Sequence, residues 1–259
     1  MFIVRKIFVH FSLSSLLSAS FLVSSAACMA SNSSDGQEDF SNAFFGRVIP
    51  AQSEPGPWKI LFGGKNTDAW RGFHKETMPS GWKVDNGTLT LGEKGAGDII
   101  TKDEYENYEL ELEWKISEGG NSGIIYNVVE DPKYKNTYET GPEMQVLDND
   151  RHPDAKLGKN SNRTAGSNYD LISPAKPAKP AGAWNKARLV VNKGHVEHWL
   201  NGVKVVEYQL WSPEWEELVK NSKFTAFPDY GKAKKGHIAL QDHGDKVWYR
   251  NIRIRTLSN

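Results

Sequence analysis

The densest run of chemically capable side chains is Glu143-Met144-Gln145-Val146-Leu147-Asp148. Read as a strand, a period of two sends Met144 and Val146 to one face and Glu143 with Gln145 to the other. Met144 and Val146 suit a core, so the acid and the amide project together from the opposite face. Followed by Asp148 and Asn149, they form a hydrogen-bonding ladder suited to hydroxyl groups. A solvated outer face is the plain alternative. A second run is Gly236-His237-Ile238-Ala239-Leu240-Gln241-Asp242-His243. Here Ile238 and Leu240 face the core, while Ala239, Gln241 and His243 share the other side. A small Ala beside Gln and His suits the floor of a cleft, and histidine is the side chain that changes charge near neutrality. In a third run, Trp248-Tyr249-Arg250-Asn251-Ile252-Arg253-Ile254, Arg250 shares parity with Trp248, Ile252 and Ile254. A guanidinium on an apolar face needs an acid or a ligand beside it. Asn121-Ser122-Gly123 opens a strand after Gly119-Gly120, offering either ligand contacts or a plain turn.

Other chemistries are absent from the sequence. It has no phosphate-cradling glycine loop, no His-Glu-x-x-His and no Gly-x-Ser-x-Gly elbow. The single cysteine, Cys28, lies outside the folded part, which excludes cysteine catalysis and any intramolecular disulfide. Glu143, Asp148 and His243 would make a metal set, but no ligand spacing supports it, and no cofactor is called for; a divalent metal stays open.

The elements that must hold these residues read as strands. Leu110, Leu112, Trp114 and Ile116 alternate with Glu109, Glu111, Glu113 and Lys115, one face for a core and one for water. Asn86-Gly87 and Asn201-Gly202 sit between apolar runs and accept the positive φ values of hairpin turns. Further strands are expected over 58–62, 123–129, 184–192, 236–241 and 248–255. The one helix expected is Pro213–Lys220, with Ser212 as its cap. The Pro-Ala-Lys-Pro stretch within 173–181 cannot pair inside a sheet. Many strands with almost no helix predict an all-β sandwich.

Lys plus Arg and Asp plus Glu both number 32. A neutral chain lacks the basic stripe that neutralises phosphates, so no nucleic-acid partner is expected. At the N-terminus, Arg5 and Lys6 precede an apolar, Ser-rich run and the small residues Ser24-Ser25-Ala26-Ala27, the pattern of an export signal. Ala27-Cys28 resembles a bacterial lipoprotein cleavage site, with Cys28 as the lipidated residue; ordinary cleavage near Ala27 is the alternative. Residues 29–56 read as a Ser-, Asn- and Pro-rich tether. No other apolar run is long enough to span a bilayer. The expected map is therefore signal peptide 1–27, tether 28–56 and folded domain 57–259.

Taken in order, Leu61-Phe62-Gly63-Gly64-Lys65 with Trp70, Trp82 with Asn86-Gly87, Asn121-Ser122-Gly123-Ile124, Glu143 through Asp148, Trp184-Asn185, Leu200-Asn201-Gly202, Gly236 through His243 and Arg250-Asn251-Ile252 resemble the 3-keto-disaccharide hydrolase domain. The resemblance runs from Trp58 to Arg255. It implies a concanavalin A-like lectin/glucanase jelly-roll β-sandwich, export to the periplasm or an outer-membrane lipoprotein, and cleavage of 3-keto-glycosides. Such chemistry would use Glu143 as base and His243 as acid or enolate partner, with Gln145, Asn121, Ser122, Asp148, Gln241 and Arg250 contacting the sugar. Two other readings stay open: a non-catalytic carbohydrate-binding module, and a conventional glycoside hydrolase on unoxidised glucans. A retaining enzyme of the latter kind needs two carboxylates about 5–5.5 Å apart. In the acid-rich strand of retaining endo-β-glucanases, which this run also resembles, Gln145 would replace the middle acid.

Overall fold

The structure is a computed structural model that describes residues 54–258. The expected signal peptide, Cys28 and all but the last residues of the tether lie outside the described residues.

In chain order the strands are β1 (Lys59–Phe62), β2 (Trp70–Gly72), β3 (Trp82–Asp85), β4 (Thr88–Leu91), β5 (Ile99–Thr101), β6 (Tyr108–Ile116), β7 (Asn121–Val128), β8 (Glu143–Leu147), β9 (Asn185–Asn192), β10 (His195–Leu200), β11 (Val203–Gln209), β12 (His237–Leu240) and β13 (Val247–Thr256). They form two antiparallel sheets. The larger has the order β11-β10-β9-β6-β13-β4-β3, with β1 also on β13; the smaller has the order β2-β5-β12-β7-β8. The protein is thus an all-β, concanavalin A-like jelly-roll sandwich, as the strand pattern and the resemblance predict. Among the described residues the single α-helix, α1 (Pro213–Lys220), starts where expected: the Ser212 hydroxyl accepts the Trp215 N–H at 3.2 Å, and Pro213 has no N–H that would need an acceptor there. Among the described residues, no helix is long and apolar enough to cross a membrane.

Alternation fixes which faces meet. On β6, Tyr108, Leu110, Leu112, Trp114 and Ile116 are buried, and the intervening glutamates point outward. They meet Met144 and Val146 of β8, Ile124 and Tyr126 of β7 and Ile238 and Leu240 of β12 in one continuous core. Each such fully buried side chain contributes roughly 1.5–3 kcal/mol. The Asn-Gly hairpins form as expected: Asn86 and Asn201 have φ of 47° and 52°, and their glycines 75° and 84°. β2 and β5 escape a sequence reading because three residues cannot display a period.

One strand breaks its own parity. On β13 the register with β6 slips between Arg250 and Arg253, and Asn251 takes φ of 53° at the bulge. Val247 and Tyr249 before it, and Ile252 and Ile254 after it, therefore all face the core. Arg250 points the other way, onto the outer face of the larger sheet. The sequence expectation that Arg250 shares a face with Ile252 and Ile254 is corrected here, because an extra residue in the strand flips everything beyond it.

Candidate active site

The outer face of the smaller sheet carries the site. Adjacent strands β7 and β8 place Gly123 opposite Gln145 and Ile125 opposite Glu143. Gly123 leaves space over the sheet that the Glu143 carboxylate fills; a Cβ there would collide with its oxygen. Glu143 and Gln145 do project together, opposite Met144 and Val146. They open into a cavity of ≈380 Å³ that also touches Asn121, Gln241 and His243, with Tyr138, Tyr169, Lys223, Phe224 and Phe227 closing it from the loops.

Each wall is braced. Asp98 accepts the Asp242 N–H at 2.8 Å, and Asp242 in turn accepts the Gly97 and Gly244 N–H groups at 2.8 Å. Asp245 accepts the Asn121 N–H at 3.1 Å. These bonds set the turn that carries His243. Opposite, the loop after β8 is stapled by Arg163, which binds Asp154 at 3.0 Å and Asp170 at 2.6 Å. The Tyr169 hydroxyl donates to Asp154 at 2.6 Å. The third wall begins with a short 3-10 turn, Lys223–Ala226, whose first free N–H is taken by Ser222. Behind it Phe224 stacks on Tyr230 at 4.0 Å, Tyr230 on Trp215 at 5.9 Å, and Trp215 on Tyr208 at 5.1 Å. This aromatic column fixes the turn to the sandwich.

The electrostatics single out Glu143. It is 5% exposed. Burial away from water raises its carboxyl to about 8; the Lys223 ammonium opposes the rise, and the charges of Asp98 and Asp154 add to it. Lys223 responds in kind, its ammonium held below the usual lysine value by desolvation against the attraction of Glu143. Gln145 spends its side-chain oxygen on the Val146 N–H at 2.9 Å, which leaves its amide N–H groups for a ligand. Asn121 Oδ1 is buried with no donor partner, an acceptor suited to a hydroxyl group.

Of the residues expected at the site, Glu143, Gln145, Asn121, Gln241 and His243 come together; three do not. Ser122 turns into the core between the sheets, where its hydroxyl bonds the Gln241 carbonyl at 2.7 Å and the Tyr249 hydroxyl at 2.8 Å. It belongs to the strand rather than to a turn, so its parity is opposite to that of Asn121. Asp148 has the parity of Val146 and is consumed by the backbone, accepting the Gly119 N–H at 2.7 Å and the Asp150 N–H at 3.1 Å. Burial pushes its carboxyl up, but these bonds and Arg151 more than offset that, and it stays below the usual range. A metal set of Glu143, Asp148 and His243 is thereby ruled out on geometry. Arg250 lies on the other sheet, paired with Glu113 at 2.6 Å and laid over the Trp184 ring at 4.0 Å. Ala239 is covered by Phe73, Ile100, Ile125 and Val128 rather than flooring the cavity.

A different trio stands beside the cavity: His152, His243 and Asp245 each bring one ligand atom within 4.8 Å of the others. Nδ1 of His152 already accepts the Asp154 N–H at 3.2 Å, so the neutral ring carries its proton on Nε2. A cation ligated by His152 must break that bond or move that proton. Tyr138, Tyr169, Lys223, Phe224, Phe227 and His152 lie on loops and short 3-10 turns, where no hydrophobic period marks a residue. Only the run of aromatics and lysines in polar segments hints at them.

A sequence profile described as the 3-keto-alpha-glucoside-1,2-lyase-like domain matches residues 57–255. A protein of Bacteroides thetaiotaomicron named 3-keto-disaccharide hydrolase is 44% identical over 225 residues, covering 76% of this chain and 77% of its own. Two crystal structures from Parabacteroides distasonis, each described as a putative glycosyl hydrolase, superpose with TM-scores of 0.72 and 0.59. They share 37% and 31% identity, and each alignment covers 78% of this chain and 94% and 100% of theirs, respectively. With the profile matching residues 57–255 and the relative 44% identical over 225 residues, the chain belongs to the 3-keto-alpha-glucoside-1,2-lyase-like domain family.

Proposed function

We propose that the protein is a carbohydrate hydrolase that cleaves 3-keto-glycosides, disaccharides among them, by base-assisted elimination followed by hydration. The observation that carries this reading is the lone carboxyl of the cavity: Glu143 is the only acid among its described lining residues, and burial raises it to about 8. Ordinary glycoside hydrolysis uses two carboxylates that share the work across the scissile bond. A single strong base suits a different reaction. A ketone at C3 makes the C2 hydrogen acidic. Glu143 takes that proton, and the C–H electrons form an enolate across C2 and C3. The enolate re-forms the ketone and expels the aglycone oxygen from C1, leaving a C1–C2 double bond. The departing oxygen takes its proton from an acid, a role for His243, which lines the cavity. Water then adds to C1 and a proton to C2, and the sum is hydrolysis. Gln145, Asn121 and Gln241 offer the donors and acceptors that orient the ring. The name of the Bacteroides thetaiotaomicron relative and the family description support this substrate class.

Raising Glu143 to about 8 strengthens it as a base while leaving ~10% of it ionised at pH 7. For the free enzyme, kcat/KM should therefore climb with pH up to about 8. The deciding experiment incubates the purified protein with methyl 3-keto-glucoside and with methyl glucoside, each with and without chelator. Cleavage of the keto sugar alone is the expected result. Cleavage of neither, with binding retained, would favour a binding module; cleavage of the unoxidised sugar would favour a conventional hydrolase. We also propose export and lipid anchoring at Cys28, supported by the signal-like N-terminus. Cys28→Ser should then move the protein from the membrane fraction to the soluble one.

A further inference from the structure

The elimination needs a group to take up the negative charge that appears on O3 of the sugar. Arg250, the one cation among the residues expected to contact the sugar, faces away on the other sheet. The geometry points instead to Lys223, and we propose that Lys223 is a catalytic residue whose ammonium stabilises the enolate oxygen; this rests on the 3-keto-glycoside reading. Lys223 lines the same cavity as Glu143. Its ammonium lies 4.2 Å from the centre of the Tyr169 ring and 5.3 Å from that of Phe224. Two aromatic faces hold the cation by its charge without giving it an anion. Among the described residues, no carboxylate pairs with it, although Glu143, Asp154 and Asp170 attract it and Arg163 repels it.

That arrangement differs from the described arginines around the sandwich, although Lys115, Lys234 and Lys246 also lie over aromatic rings, outside the cavity. Arg163, Arg188, Arg250, Arg253 and Arg255 each sit against at least one carboxylate. An unpaired ammonium beside a buried acid, oriented by rings that cannot neutralise it, meets new charge without first breaking an ion pair. Electrostatic preorganisation of this kind is worth most where water is thin. Proton balance agrees. Glu143 begins as the carboxylate, gains the C2 proton and becomes neutral. The negative charge moves from the acid to O3, and the ammonium that faced the one now faces the other. Lys223 itself exchanges no proton, so its positive charge is needed at every stage.

The test uses the purified protein with methyl 3-keto-glucoside, protonated or deuterated at C2. Lys223→Met should lower kcat by ~10²–10³ and change KM by less than about threefold. Exchange of the C2 hydrogen with solvent should fall in parallel, since enolate formation is the step affected. Lys223→Arg, which keeps the charge, should recover part of the rate. The pH at which the rate rises should move up in Lys223→Met, because the ammonium no longer holds the Glu143 carboxyl down. A lysine that merely fills space would shift neither exchange nor the pH profile. If Lys223→Met does not fold, Lys223→Gln serves in its place. Wild-type protein that leaves the keto sugar intact overturns the functional reading and this role with it. Wild-type activity with a variant kcat within about threefold of normal, or a loss confined to KM, overturns the role of Lys223 alone.

Discussion

Two strands of this sandwich carry outward-facing glutamates, and they treat them in opposite ways. On β6, Glu109 pairs with Arg188 and Arg255, Glu111 with Lys186 and Arg253, and Glu113 with Arg250. Burial alone would raise Glu111 and Glu113, but these cations and their hydrogen bonds outweigh it, and both carboxyls lie below the usual range. On β8, Glu143 has burial without a paired cation, and its carboxyl rises to about 8. Both are glutamates on outer faces of a sheet; the neighbours decide what they do. Where every acid meets a base, the face is a brace. Where one acid is left unpaired inside a cavity, the cost in stability points to chemistry.

The sharpest way to break this comparison is to neutralise one glutamate from each face. Glu143→Gln should reduce turnover of a 3-keto-glucoside by ~10²–10⁴, since the amide keeps the shape and removes the base. Glu113→Gln should leave turnover unchanged. Stability should separate them as well. A carboxyl raised from 4.5 in the unfolded chain to about 8 in the folded one binds its proton more tightly when folded. Its contribution to stability therefore declines as pH rises from about 4.5 to about 8 and is level above that. Glu143→Gln abolishes the decline, so the variant should gain on wild type across this window, by at most ~4 kcal/mol near pH 8. For Glu113 the sign reverses: its pairing favours the folded state above its unfolded pKa and is lost as pH falls through its lowered folded value. Unfolding by denaturant across the acid range below the usual glutamate value and on up to about 8 measures both slopes. Equal slopes in the two variants would contradict the contrast.

Gly123 sharpens the comparison from the other side. Its missing side chain makes room for the Glu143 carboxyl, and no rotamer of an added methyl avoids that contact without moving Glu143 or the strand. Gly123→Ala should displace the acid, costing ~1–3 kcal/mol in stability and ~10-fold or more in rate. In Glu143→Gln the methyl still meets the amide, but no base remains to misplace. A second loss of rate in that background would show that Gly123 acts on something other than Glu143.

How far the sequence carries depends on the local code involved. The faces of β6 and β8, both Asn-Gly hairpins and the Ser212 cap follow from alternation, from the positive φ that Asn and Gly accept and from capping chemistry. So does the convergence of Glu143 and Gln145. Asn121 and Ser122 show the limit: taken as neighbours at a turn they look equivalent, but inside β7 they face opposite sides. Arg250 shows another, since a single bulge at Asn251 reverses parity and nothing in a period of two announces it. Lys223, Tyr169 and Phe227 reach the cavity from loops held by Arg163, Ser222 and an aromatic stack, all contacts between distant segments. Local pattern cannot report them.

The smallest effect expected is at Arg250, and it is the most direct check on the reassignment. A sugar-contacting arginine would lower kcat/KM by orders of magnitude when truncated. On the outer face it does something more modest. Its side chain is 37% exposed and that of Glu113 26%, so solvent screens the pair heavily. Exposed pairs are worth ~0.2–1 kcal/mol, and stacking over Trp184 adds ~0.5–1 kcal/mol. Glu113 keeps a partner when Arg250 is lost, because the Asn251 amide donates to it at 2.8 Å. Arg250→Ala should therefore cost ~0.5–1.5 kcal/mol in denaturant unfolding and leave turnover of methyl 3-keto-glucoside within about twofold of wild type. A large loss of rate with a small loss of stability would return Arg250 to the reaction and undo the division of labour between the two faces.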